Sequence, residues 1–207
     1  TRATLRGLTN KALGMDFIPI ICSSNFSFIA YYINFYYIFN MMHTTYRRAK
    51  ADRLLVRDPL FYKLAEPVFL SRKFQPLRDI VHHDESIADH AVSVAYHAFL
   101  IAHAIGLRKH LQELVRGALL HDYFFYDWRT ARPRNRKLHG FEHPHEALEN
   151  AQADFGPLTP IEKDCISRHM FPLTPVPPIY LESILVCLID KVVALAELVA
   201  ATRIHQG

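Results

Sequence analysis

Five polar side chains stand in otherwise apolar surroundings of a 207-residue chain, His90 in ADHAVSVAYHAF, His121 and Asp122 ending GALLHD, His169 in ISRHMF and Asp190 in LIDKVV, and a sixth, His143, enters at a helix start in HGFEHPHEA. Burying that many titratable groups separately is costly, because each gives up its hydration without a partner. A shared cation removes that cost. Imidazole nitrogens combined with carboxylate oxygens suit Mn, Fe, Co, Ni or Zn, and one carboxylate can bridge two such ions. Taken singly, each residue has an ordinary reading: His143 as a helix cap, Asp190 as the partner of a neighbouring Arg or Lys, an HD dipeptide as chance. The ordered set is what points to chemistry.

The elements that must position these groups are helices. Apolar residues at helical spacing run from Arg47 to about Leu70, and Pro59 and Pro67 break them into short helices. Ser86 caps a long helix to Ile105, with Gly106 at its stop, and a further helix spans about Arg108 to His121. Adjacent helical positions differ by about 100°, so His121 and Asp122 reach one pocket only near a helix end, where they lie. RTARPRNRKLHGFEHP, Arg129 to Pro144, reads as a basic loop, with His143 and Pro144 as cap and first turn of a helix to about Phe155. TPIE has the capping-box spacing and predicts a helix from Pro160 to about Met170. After the turn PLTPVPP, an apolar helix spans about Ile179 to Ile204. With no Gly-rich phosphate loop and no run of strands, the fold class is an all-α bundle.

Composition narrows the functions. Half the residues are hydrophobic and only seven are glycine, as in a helix-rich globular domain. Cys22, Cys165 and Cys187 are scattered and form no CxxC pair, which argues against a disulfide framework or a thiolate zinc site. A net charge of +4 permits an anionic ligand, but no long basic run supports a stable nucleic-acid partner. Thirteen histidines are the outlier. The first 42 residues differ from the rest: Phe17 to Met42 is uncharged over 26 positions, long enough to span a bilayer. Its wealth of Ile, Phe, Tyr and Asn equally suggests translated AT-rich upstream sequence, with a natural start at Met41 or Met42. Residues 1–42 are therefore set apart as a hydrophobic leader from a helical domain over 43–207. A cytoplasmic protein is expected, with membrane association only if residues 17–42 are a real anchor.

From about Ile80 to Glu197 the order of an early His, an HD pair and a late Asp resembles the HD-domain superfamily of metal-dependent phosphohydrolases. ADHAVSVAYHAFLIAHAIGL looks like the family's first-ligand helix, GALLHD supplies the pair, and LIDKVVALAE places Asp190 at the final aspartate. The wording LLHDYFFYDWR, HGFEHP and RHMFPLTP is similar to an uncharacterised bacterial branch of HD-domain hydrolases. The resemblance implies an HD-type helical bundle with His90, His121, Asp122 and Asp190 on one metal. It also implies His143 and His169 on a second metal, with Asp122 bridging. Fe or Mn is favoured, with Co, Ni, Zn or Mg as alternatives. The implied reaction is attack on a phosphomonoester, phosphodiester or nucleotide by metal-activated hydroxide. In it Asp122 orients the nucleophile, and Lys191 contacts phosphate or a neighbouring carboxylate. RHMFPL lacks the paired histidine and the GYP motif of cyclic-di-GMP phosphodiesterases, so that substrate is not implied.

Substrate contacts are sought in the basic loop, where Arg129, Arg132 and Arg136 can meet an anion and His139 can touch substrate or a ligand from outside. A solvated basic loop is the plain alternative. Tyr123, Phe124, Phe125, Tyr126 and Trp128 could stack on a base, but read better as packing beneath the site. Two rival classes share the ligand set: a di-iron HD-fold oxygenase, and a non-catalytic metal- or nucleotide-binding module.

Overall fold

Two-residue strands, Val81–His82 and Glu85–Ser86, pair antiparallel just before the longest buried helix, and they are the only strands among the described residues. The computed structural model describes residues 51–82, 85–127 and 138–204. The leader 1–42, Trp128 and the loop cations Arg129, Arg132 and Arg136 lie outside them. The rest is all-α: α1 (Ala51–Leu55), α2 (Pro59–Phe69), a 3-10 turn (Gln75–Arg78), α3 (Ile87–Ala104), α4 (Leu111–Leu120), α5 (His139–Phe155), α6 (Pro160–Arg168) and α7 (Leu181–Ile204). No helix among the described residues is long and apolar enough to cross a membrane.

The local chemistry accounts for most boundaries. Asp58 caps α2 by accepting from the backbone N–H groups of Leu60 and Phe61 at 2.8 and 3.0 Å, with Pro59 at the first helical position. Ser86 caps α3 through Asp89 N at 3.1 Å, and Gly106 follows its end with φ of 80°, a left-handed conformation that suits glycine. Thr159 and Glu162 close a reciprocal capping box on α6.

Three expectations are corrected. Pro67 does not break α2, which runs on to Phe69; the proline falls in the last turn, where the buried Val68 and Phe69 anchor the helix. Helix α4 begins at Leu111, three residues after Arg108, because the left-handed Gly106 turns the chain and the first helical bond reaches back only to His110. Helix α5 begins at His139, so His143 is no cap but a side chain one turn inside, and Pro144 lies within the helix. At Gly140 a Cβ would meet Leu173 Cδ2 at 2.7 Å, so the start of α5 lies tight on the loop after α6.

Helix α3 is the central element, packed by α1, α4 and α7, with its apolar residues buried on nearly every side. Helix α4 is held between α3, α2 and α6. Gly117 permits that approach: a Cβ there would stand 2.7 Å from Cys165 Cβ on α6. Asp164 on α6 accepts from Ile179 N at 2.9 Å and from Ser183 of α7, and it pairs with Arg168 at 3.0 Å. These bonds fasten the proline-rich turn between α6 and α7.

Candidate metal centre

Five helices bring the six expected residues to one buried place. His90 comes from the first turns of α3, His143 from α5, His169 is the residue ending α6, and Asp190 lies mid-way along α7. His121 ends α4, and the chain turns there: Tyr123 N bonds Leu120 O at 3.2 Å and Phe124 N bonds Asp122 O at 2.9 Å. That turn rotates Asp122 off the helical path, so both side chains of the pair face the same centre. All six are buried, none more than 8% exposed.

Every imidazole is anchored by its outer nitrogen. His121 Nδ1 lies 2.7 Å from Ala118 O, His143 Nδ1 2.9 Å from His139 O, and His169 Nδ1 2.8 Å from Ile166 O. His90 Nδ1 sits 2.9 and 3.0 Å from the two oxygens of Glu197. Each Nδ1–H therefore donates outward, and each Nε2 faces inward, where it holds a proton or, once that proton is displaced, a cation. The inner atoms fall into two sets around Asp122. Its Oδ2 lies 3.4 Å from His121 Nε2 and 3.9 Å from His90 Nε2, while its Oδ1 lies 3.2 Å from His143 Nε2 and 3.4 Å from His169 Nε2. Asp190 Oδ1 completes the first set at 3.1 Å from His90 Nε2 and 3.6 Å from His121 Nε2.

Burial opposes charge on His90, His121, Asp122, His169 and Asp190, yet neighbouring charges prevail on all but His169. Against desolvation, Glu197 and Asp190 hold His90 well above the ordinary histidine range, and Asp122 with Asp190 push His121 up to about 10. The surrounding imidazoles hold the Asp122 and Asp190 carboxyls well below the usual carboxylate range despite their burial. His169 moves the other way, its pKa lowered mainly by burial.

These residues fit a metal ion by the chemistry of their donors. His90, His121 and Asp190 form one group, and His121, Asp122 and His169 another, each with donor atoms within 4.8 Å of one another. His121 Nε2 is fully buried and makes no hydrogen bond. His143 Nε2 and His169 Nε2 face each other at 2.8 Å with both outer nitrogens already committed to carbonyls. A proton or a cation is what relieves two lone pairs so placed.

No family model, curated protein or solved structure matches the chain.

The remaining expected residues take more peripheral places. Lys191 donates to His169 O at 2.6 Å and Cys187 O at 3.1 Å, and its ammonium stands 3.8 Å from Asp190 Oδ2. It ties the end of α6 to α7 and lies near a neighbouring carboxylate. His139 stacks on His143 with ring centroids 4.4 Å apart and planes at 22°, and its Nδ1 lies 2.9 Å from the Tyr126 hydroxyl. Tyr123 and Phe124 are fully buried, and the Tyr123 hydroxyl lies 2.7 Å from Lys73 O and 2.9 Å from Asp154 Oδ2. They form the packed floor beneath the pair. Arg129, Arg132 and Arg136 lie outside the described residues. His97 is an ordinary buried histidine, bonded to Ser93 O at 2.7 Å.

Glu197 is the residue that sequence reasoning missed. It is 1% exposed and fixes the ring of His90. The available signal was its position seven residues after Asp190, two helical turns along the same face.

Proposed function

We propose that this chain is a metal-dependent phosphohydrolase of the HD superfamily, holding two divalent transition ions. His90, His121, Asp122 and Asp190 would hold one, and His143 and His169 with Asp122 the other. The observation that carries the proposal is the division of Asp122: one oxygen faces the His90 and His121 side, the other faces His143 and His169. A carboxylate so divided suits a pair of ions sharing it. When bound, such ions supply Lewis acidity that brings a water's pKa towards neutrality and offsets phosphoryl charge.

The chain's own residues do the positioning. The backbone carbonyls behind His121, His143 and His169 fix the tautomers, so that no ring has to turn to present Nε2. Glu197 makes His90 more basic by accepting its outer N–H. Asp122, held ionised by the imidazoles around it despite its burial, would orient a nucleophile between the two sets. Lys191 steadies the carbonyl of His169. Tyr123 and Phe124 close the floor to water. A small phosphorylated or nucleotide substrate is the expected ligand.

The test is release of inorganic phosphate or nucleoside monophosphate from a panel of phosphomonoesters, diesters and nucleotides, in anaerobic buffer, by protein loaded with Mn or Fe. Turnover on at least one class, lost with chelator and restored by metal, is the expected result. Inactivity on the whole panel together with substrate-dependent O₂ consumption by the iron form would overturn the hydrolase in favour of the oxygenase.

A further inference from the structure

Helix α7 is apolar on all sides, and a helix of that kind is ordinarily covered on all sides. Its inner line, Ser183, Asp190 and Glu197 at intervals of seven, is buried and serves the α6 junction and the metal centre. The described residues leave its outer face open. Leu181, Ile184, Leu188, Leu195 and Leu198 are 66, 37, 57, 53 and 55% exposed. Their spacing alternates three and four once Lys191 is counted at the middle position. That is the a/d seam of a heptad repeat, carried over three heptads.

Lys191 is the one charge in the seam, and its ammonium is turned out of it. The head group donates to His169 O and Cys187 O on the inner side, which leaves the aliphatic stem along the row of leucines. The seam is thereby apolar from end to end. Its flanks carry Leu185, Val192, Val199, Cys187 and Ala194, with no charge of the kind that selects an unlike partner in a coiled coil.

From these observations we infer that α7 pairs with α7 of a second copy of this chain about a twofold axis. A row of like side chains at a and d interdigitates with the same row on a copy, which makes the face self-complementary. The helix is about 36 Å long and about 10 Å wide. Pairing it hides on the order of 1,200 Å² in total, which reaches the range of specific, stable interfaces. Half of that, on the order of 600 Å², is the apolar patch a lone copy would leave in water, the upper end of what monomers carry. The pairing braces from outside the helix that carries Asp190 and Glu197. It does not depend on which reaction the centre performs.

The experiment is light scattering coupled to size exclusion on the full chain, over a dilution series, with far-UV circular dichroism on the same samples. The wild type runs at twice its 23.9 kDa chain mass. Val176→Glu, a charge at another exposed apolar residue off the helix, leaves the dimer intact. Leu188→Glu with Leu195→Glu gives a monomer of unchanged helicity. If the double variant loses helicity, Leu188→Ser decides: the dimer dissociation constant rises at least tenfold. A monomeric wild type, whatever else its face then binds, overturns the proposal. So does a dimer that persists in a folded double variant, since another surface or the leader would then hold it, and so does an unchanged dissociation constant in Leu188→Ser.

Discussion

His143 Nε2 and His169 Nε2 stand 2.8 Å apart, each on a ring whose Nδ1 is already held by a main-chain carbonyl. Neither ring can turn to relieve the contact without giving up a buried hydrogen bond. An ion taking both lone pairs at once resolves the arrangement. His143→Ala is accordingly expected to halve the metal content, from two ions per chain to one, with the His90 side still loaded. Elemental analysis of the purified variant checks this; a variant that still carries two ions removes His143 from the centre.

Glu197 reaches the proposed centre through the ring of His90, whose Nδ1 it accepts from. Glu197→Gln keeps the size and the hydrogen bond but removes the charge, and it is expected to weaken metal affinity about 10- to 100-fold. Competition with a fluorescent chelator measures the change. Unaltered affinity in the folded variant would leave Glu197 a packing residue.

Gly117 sets how closely α4 approaches α6. A methyl group there would lie 2.7 Å from Cys165 Cβ and 3.0 Å from its Sγ, so Cys165 must yield. Gly117→Ala is expected to cost about 1–3 kcal/mol of stability, as overpacking of a close core contact does. Urea denaturation reads it directly. A neutral or stabilising effect would mean that the two helices separate freely.

Asp154 lies on α5 beside Lys73, 2.5 Å away, and beside the Tyr123 hydroxyl. The Lys73 hydrogen bond holds its carboxyl below the usual range, with Tyr123 assisting against partial burial. A depressed folded-state pKa gives stability that is present above the unfolded-state value, about 3.9, and is lost as pH falls through the folded one. The Tm difference between wild type and Asp154→Asn should hold steady from neutral pH to about pH 5 and shrink below about pH 4. A difference that widens on acidification would contradict this account.

Which parts were legible in the sequence follows from where side chains themselves set the backbone. Ser86 and the Thr159 and Glu162 box announce α3 and α6 because they satisfy the first free N–H groups of those helices. The start of α5 has no such signal. Leu138 caps it without a side-chain bond, and the preceding cations read as loop. The gathering of His90, His121, Asp122, His143, His169 and Asp190 was legible because His90 and Asp190 interrupt apolar helices, and because the six together keep one recognisable order along the chain. Glu197 was not, since an acidic residue near the end of a helix reads as solvent-facing until Asp190 fixes which face is inside. Lys191 shows the limit of sequence adjacency: next to Asp190 in the chain, its ammonium is 2.6 Å from the carbonyl of His169.

The central claim is that Asp122 serves two ions at once, and metal content with and without that carboxylate tests it most directly. Protein purified without chelator is predicted to contain two transition ions per chain, mainly Fe or Mn. Asp122→Ala, still folded by circular dichroism, is predicted to lose both metal loading and turnover. A wild type with a single ion, or an Asp122→Ala variant that keeps both ions or full activity, would contradict the account.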